Sequence, residues 1–372
     1  MNKNNKHYFL IAGEASGDLH GSKLIHHLKQ INSSSIFSGI GGPNMEEAGL
    51  QSMVSIEKLS VMGFWEVIKQ IGFFLTLQKN VLHEIKTNKP DVIILIDYPG
   101  FNLRLAKKIK KLANIPIIYY ISPQVWAWKE NRIVNIKKYI DSLIVIFPFE
   151  VSWFQSKNIN VEYFGHPLID RLIKNQNMIN HPRTGPTTIG FFPGSRKQEL
   201  EKHLPVFKTI IDNANSINAN VQFIISRAPL MPPSYFAFFN KNNIPVVSDP
   251  LYQTFSKCDI AIVASGTATL ECAISSTPFI AIYKMSTLSW LITKYVVKLK
   301  FASIVNILSN KEIVPELIQK DFHSKNVIKK INYLLQTINY NQAIVELNKV
   351  TQNLGTGDTY KKTSEFISSF KV

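Results

Sequence analysis

Residues 264–271 read Ala-Ser-Gly-Thr-Ala-Thr-Leu-Glu. They follow the apolar run Asp259–Val263, which reads as a buried strand, and lead into the helix-forming stretch Leu270–Ile274. A turn of small residues between a strand and a helix exposes backbone N–H groups at the positive end of the helix dipole, a place suited to a diphosphate. Glu271 lies one helical turn further on, where a carboxylate accepts hydrogen bonds from a ribose. Alone, the segment is equally an ordinary strand–helix connection whose small residues allow close packing.

A second turn of this kind shifts the balance. Phe192–Arg196, Phe-Pro-Gly-Ser-Arg, joins the strand-like Thr188–Phe191 to the helix expected over Gln198–Phe207. Gly194 permits close backbone approach, Ser195 is a good N-cap, and Arg196 offers a planar fork of donors that matches phosphate oxygens. A cation at a helix start opposes the dipole unless an anion is nearby.

Working outward, apolar runs alternate with helical patterns along the whole chain. Tyr8–Ala12, Val92–Ile96, Ile117–Ile121 and Leu143–Phe147 lie in the first half. Ile189–Phe192, Val221–Ile225, Pro245–Val247, Ile260–Val263 and Phe279–Tyr283 lie in the second. Continuous apolar character marks parallel strands buried on both faces. The expected fold is α/β: two doubly wound Rossmann-like domains over residues 1–174 and 188–354, with 175–187 as linker. Ligands of such sheets bind beyond the carboxyl ends of the strands, so a cleft between the domains is the expected site.

Asp97 ends the very apolar strand Val92–Ile96, where burial raises a carboxylate's pKa and poises it as a base. A turn-capping role is the alternative for Asp97. The first turn, Ile11–Leu19, lacks a GxGxxG pattern; its Glu14 and Asp18 suit sugar hydroxyls better than phosphate, and Asp18 equally suits a helix start. Gly39–Pro43 reads as a flexible turn. His166, in Gly165-His166-Pro167, is a further candidate beside the expected domain boundary.

The 372 residues carry a formal charge of +16, which implies an anionic partner. The densest basic run, Lys107-Lys108-Ile109-Lys110-Lys111, is too short for a nucleic-acid tail and suits a solvated helix face. Cys258 and Cys272 make no close pair, so no zinc or redox site is indicated. Few cysteines and the lack of a secretory leader point to the cytoplasm. No run approaches the ~20 apolar residues needed to span a bilayer, so membrane association would be peripheral. Two stretches suit it. In Phe64–Ile85, a core stripe is expected through Phe64, Ile68, Ile71, Leu75, Leu82 and Ile85, leaving Trp65, Phe73, Phe74 and Leu77 beside lysines for an anionic surface. Met285–Phe301 repeats this with Trp290. In both stretches a core helix is the competing reading.

Five motifs occur in a telling order: Ala12–Asp18 (AGEASGD), Leu59–Gly63 (LSVMG), Ser122–Trp128 (SPQVWAW), Pro193–Arg196 (PGSR) and Ser265–Glu271 (SGTATLE). The chain thereby resembles the bacterial lipid-A-disaccharide synthases, from about Ile11 to Leu317. The last two motifs alone would indicate only a nucleotide-sugar glycosyltransferase of the two-Rossmann-domain (GT-B) type. The resemblance implies an inverting transfer from UDP-2,3-diacylglucosamine to 2,3-diacylglucosamine 1-phosphate, on the inner face of the inner membrane, with neither metal nor cofactor. It implies Asp97 as base. Gly194, Ser195, Arg196, Ser265, Gly266 and Thr267 would hold the UDP diphosphate, Glu271 the ribose, with Asn306 and Gln319 near the donor. Glu14, Ser16, Gly17, Ser122, Trp126, Trp128 and His166 fall on the acceptor side, and the helix within 355–372 returns to the first domain. The family commonly has Asp where Gly100 stands, Ser and Arg where Gln124 and Lys129 stand, and Pro where Val305 stands. A UDP-N-acetylglucosamine 2-epimerase, which has a similar fold, and a non-catalytic membrane or nucleic-acid binder are the alternatives. The sequence leaves a homodimer open.

Overall fold

The computed structural model describes residues 5–55, 71–172, 185–286, 290 and 299–370. The chain divides into two compact units, Met1–Asp170 with Gly355–Val372, and Arg171–Leu354.

The first unit is built on a parallel sheet ordered β3-β2-β1-β4-β5-β6-β7. Its strands are β1 His7–Ala12, β2 Ile36–Gly41, β3 Gln51–Ser55, β4 Val92–Ile96, β5 Ile117–Tyr120, β6 Ser142–Val145 and β7 Glu162–Tyr163. Every residue of β4 is buried. Ile93 and Leu95 face one core and Ile94 and Ile96 the other, which is why the run is continuously apolar. Helices α1 (Ala15–Ile31), α2 (Pro43–Glu47), α3 (Ile71–Asn88), α4 (Pro99–Leu112) and α5 (Pro148–Gln155) supply the connections that concern the site.

The second unit repeats the plan with order β10-β9-β8-β11-β12-β13. Here β8 is Thr187–Phe192, β9 Val221–Ser226, β10 Val246–Val247, β11 Ile260–Ala264, β12 Phe279–Tyr283 and β13 Glu316–Ile318. Helices α6 (Lys197–Asp212) and α7 (Thr267–Ile274) follow β8 and β11. Strand order reverses between β1 and β4 in one unit and between β8 and β11 in the other. Ligands of doubly wound sheets bind at such switch points, beyond the strand carboxyl ends. The registers Ala12↔Ile96 and Phe192↔Val263 set the two following turns side by side in each unit.

Four expectations change. Gly39–Gly41 belongs to β2 rather than to a flexible turn, and Pro43 opens α2. Thr187, placed in the linker, begins β8, while 173–184 lie outside the described residues. Asp18 is buried and accepts from the backbone N–H groups of Gly42, Asn44 and Met45 and from the Asn44 amide, so it caps α2 and is not offered to a sugar. On α3 the buried stripe is Leu77, Gln78, Val81 and Ile85, whereas Leu75 is 51% exposed. Leu77 is therefore a core residue and not a membrane-facing one. Spacings of three and four from Phe74 (74, 77, 78, 81, 85) follow the 3.6 period, and the expected stripe was rotated from it.

Helix α8 (Thr359–Ser369) packs in the first unit. The Asp170 carboxylate accepts from the N–H groups of Thr359 and Tyr360, and Ser364 Oγ donates to the Leu24 carbonyl on α1.

Candidate active site

In the first unit the turn after β4 runs against the turn after β1. Asp97 and Tyr98 both take left-handed backbone conformations, φ 45° and 49°. Asp visits this region at modest cost, but a bulky Tyr does so only when its surroundings hold it there. The Asp97 N–H donates to the Tyr120 carbonyl, while the Asp97 carbonyl accepts from Tyr119 Oη and from Asn102 Nδ2 (2.7 Å). The Tyr98 ring covers Gly13 so closely that a Cβ there would lie 2.3 Å from it. Glycine at 13 is thus what lets the two turns touch.

This packing brings Glu14, the N-cap of α1, into electrostatic range of Asp97. Burial first, and the Glu14 charge second, push the Asp97 carboxyl up to about 6. A carboxylate titrating there accepts a proton near neutrality. Glu14→Gln removes one of the two causes. The acid limb of kcat/KM, where Asp97 becomes protonated, then moves to lower pH; a pH–rate profile of the variant beside wild type checks this.

Ser16 is exposed at the start of α1, and Gly17 is buried against Ala12 and Ile96. Ser122 and Trp126 are anchored from below by a residue the motifs did not single out. Glu150, on α5, is fully buried, and its Oε1 accepts from Ser122 Oγ and Trp126 Nε1, both at 2.9 Å. Its Oε2 accepts from the N–H groups of Ile146 and Phe147. Burial raises the Glu150 pKa, and these bonds, Trp126 foremost, oppose the rise. Glu150→Ala strands four donors, so we expect a loss of about 3 kcal/mol in urea unfolding, with Glu150→Gln recovering part of it. Trp128 remains 42% exposed. His166 is buried against Phe147, and its Nδ1 accepts from the Leu168 N–H. Burial, then the His20 charge, pull its pKa down to about 3, so it is neutral and caps a helix start.

In the second unit the two anion turns differ. Gly194 has φ 103°, and a Cβ there would collide with Glu199 Oε2 at 2.1 Å. That oxygen accepts from the N–H groups of Ser195 (3.0 Å) and Arg196 (3.2 Å). The expectation that these N–H groups await a diphosphate is corrected: a carboxylate of the chain occupies them. The Arg196 guanidinium stays 78% exposed, with Glu199 Oε1 at 3.5 Å. The turn after β11 is open. Among the described residues, Gly266, φ 152°, has nothing within 4 Å of its Cβ position, and α7 carries no side-chain cap. Ser265 Oγ donates to the Ala302 carbonyl and Thr267 is exposed. Glu271 is buried on α7, its Oε2 2.6 Å from Arg171 Nη2. Burial raises its pKa and Arg171 opposes the rise.

Asn306 is fully committed within the unit: its amide donates to the Val314 carbonyl and to Glu316 Oε1, and its Oδ1 accepts from the Ile313 and Val314 N–H groups. Its amide therefore has no polar atom left over for a ligand. Gln319, at φ 55°, buries an amide nitrogen that has no partner among the described residues. His203, which the sequence reading passed over, is buried on α6; its Nδ1 lies 2.7 Å from the Pro193 carbonyl and its Nε2 accepts from the Lys284 N–H. It ties the Arg196 turn to the end of β12. Its place on the apolar stripe Leu200, Leu204, Phe207 was the available signal.

Phe73 and Phe74 are half-buried on α3, and Trp290 is half-buried too. Trp65 and the Leu59–Gly63 motif lie outside the described residues, as does most of Met285–Phe301.

A family model described as lipid-A-disaccharide synthetase matches residues 8–368. Lipid-A-disaccharide synthase 1 of Legionella pneumophila is 35% identical over 357 residues, covering 93% of each chain. The lipid-A-disaccharide synthase of Trichlorobacter lovleyi is 35% identical over 380 residues, covering 98% of this chain and 97% of that one. The chain belongs to the lipid-A-disaccharide synthetase family. It is a glycosyltransferase of lipid A biosynthesis. Among solved structures, Staphylococcus aureus MnaA with UDP superposes with TM-score 0.64 at 10% identity, covering 98% of this chain and 96% of that one. Acinetobacter baumannii MurG does so with TM-score 0.58 at 12% identity, covering 98% and 100%. These likenesses establish the GT-B fold, and the family match carries what the fold leaves open.

Proposed function

We propose that this chain joins UDP-2,3-diacylglucosamine to O6 of 2,3-diacylglucosamine 1-phosphate, giving the β-1′,6-linked disaccharide 1-phosphate and UDP. The observation that carries this reading is the half-buried Asp97 carboxylate, raised to about 6 at the β1–β4 switch point. Asp97 takes the proton of the acceptor 6-hydroxyl as O6 attacks the anomeric carbon of the donor. The bond from that carbon to the diphosphate oxygen breaks on the opposite face, so the configuration inverts. Charge accumulates on the departing diphosphate, where the uncapped start of α7 and the Arg196 guanidinium stabilise it. Glu271, steadied by Arg171, receives the ribose. The orphaned Gln319 amide finds an acceptor on the bound donor.

The acyl chains call for a membrane surface. Supporting this are the net charge of +16 and Leu75, exposed beside the half-buried Phe73 and Phe74. No helix among the described residues is long and apolar enough to cross a membrane, which leaves a peripheral seat on the inner leaflet as the proposal.

The test supplies purified protein with the UDP-sugar donor, with and without the acceptor sugar. The proposed reaction releases UDP only when both are present. UDP-sugar conversion independent of the acceptor would replace this reading with an epimerase-like one.

A further inference from the structure

Beyond the Ser122–Trp128 loop lies a set of cations that the reaction as described does not use. Lys129 Nζ lies 4.2 Å from the centroid of the exposed Trp128 ring, and the Arg132 guanidinium carbon lies 5.5 Å from it. Two like charges thus bracket one indole. Lys129 holds its position from a left-handed backbone, φ 55°. Burial first, then the Arg132 and Arg104 charges, lower the Lys129 pKa, and burial first, then Arg104 against an opposing Tyr119, lower that of Arg132. The acidic residue between them, Glu130, pairs with Lys157 at 2.7 Å. Arg104 donates through Nε to the Gly100 carbonyl, and position 100 gives it no carboxylate. Among the described residues, none of these three cations forms an ion pair at salt-bridge distance.

Asp97 and Arg104 follow β4, and Lys129 and Arg132 follow its neighbour β5, so the cluster and the base share the carboxyl end of the sheet. Arg132 is in electrostatic range of Tyr119, whose hydroxyl donates to the Asp97 carbonyl, and Arg104 is in range of Tyr98. What moves the Asp97 carboxyl is burial first and the Glu14 charge second, and the group that opposes them is the Tyr98 backbone hydrogen bond rather than a cation.

We propose that Lys129 and Arg132, gathered around Trp128, with Arg104 in electrostatic range of both, bind a phosphate monoester, and that the monoester is the 1-phosphate of the acceptor. The proposal rests on the transfer reaction above. In that acceptor, O6 is carried through C6 on C5 and the phosphate on C1, the two carbons that flank the ring oxygen. A sugar whose hydroxyl meets Asp97 therefore carries its dianion to a neighbouring spot at the same end of the sheet. Arginine forks match phosphate oxygens, lysine supplies a point charge, and a phosphate relieves the crowding of like charges. The Trp128 face offers the apolar side of the sugar a surface. Held in this way, the phosphate fixes which hydroxyl reaches the base.

The test compares wild type, Lys129→Ala/Arg132→Gln and Arg132→Lys on two acceptors, 2,3-diacylglucosamine with and without its 1-phosphate, at saturating donor. Flotation with phosphatidylglycerol-containing and purely phosphatidylcholine vesicles runs beside it, and thermal melts verify folding. Wild type should prefer the phosphorylated acceptor. The double variant should lose roughly 100-fold in kcat/KM on it, mostly through KM, since it removes two charge-assisted phosphate contacts. On the unphosphorylated acceptor it should change by less than about threefold, because no such contact is there to lose. Arg132→Lys should retain part of the preference, and vesicle binding should be unaffected. An equal loss on both acceptors, or an undiminished preference, overturns the proposal. A loss that follows failure to bind anionic vesicles also overturns it, since the ligand would then be a lipid headgroup. If wild type couples neither acceptor, the transfer reaction itself is refuted and this site with it. If wild type couples both and the variants discriminate unchanged, only the phosphate site is refuted.

Discussion

Asp97→Asn is expected to lower kcat/KM by at least roughly 100-fold, the usual worth of a positioned general base. The substitution keeps the shape of the side chain, and the contacts that hold the turn run through the Asp97 backbone, to Tyr119, Asn102 and Tyr120. Binding of the donor should therefore survive, and the loss should fall on the chemical step. The same residue sets the pH response. The base acts when unprotonated, so wild-type kcat/KM falls as pH drops through about 6, and the variant should lack that limb. Stability should move the other way. The Asp97 pKa is raised in the folded state, so between its unfolded value and about 6 the folded chain binds more protons, and stability declines as pH rises through this window. Above it, ionised Asp97 burdens the fold; below it, both states are protonated and nothing is lost. Asp97→Asn should thus melt at a higher temperature than wild type at pH 8, with the gap closing below pH 4. A variant that is slower yet more stable separates a catalytic role from a structural one.

Arg196→Ala should cost about 100-fold in kcat/KM, in line with removal of a charge that stabilises a leaving group. The backbone N–H groups of its turn are already satisfied by Glu199, so the guanidinium is what this turn has left for a diphosphate. Removing it should leave the fold intact, because the side chain is mostly in solvent. UDP binding by calorimetry should weaken in parallel. Arg196→Lys should recover only part of the activity, since an ammonium lacks the planar fork.

The strands next to the switch points were legible because burial on both faces demands unbroken apolar runs; β1, β4, β8 and β11 were found that way. β2 was missed because Ser38, Gly39 and Gly41 interrupt it, and β7 and β13 because two or three residues carry too little pattern. The turns after β4, β8 and β11 were legible from small residues and from a charge at a strand end. What the turns touch was not. Glu14 meets Asp97 only because β1 pairs with β4, far along the chain. Glu150 reaches the Trp126 loop only because β5 pairs with β6. Glu199 was nearer to hand: a glutamate at the third position of α6 is a signature of a self-capped helix start, and it tells the two anion turns apart. Asn306 marked a site residue by resemblance, yet its side chain closes four hydrogen bonds on its own unit.

The most direct measurement is a single-turnover incubation of purified wild type and Asp97→Asn with both diacylated sugars in detergent, followed by mass spectrometry of the disaccharide. Wild type should yield the disaccharide 1-phosphate with one UDP per linkage, and Asp97→Asn should yield it at least roughly 100 times more slowly at pH 8. Disaccharide formed by Asp97→Asn at the wild-type rate would contradict the account.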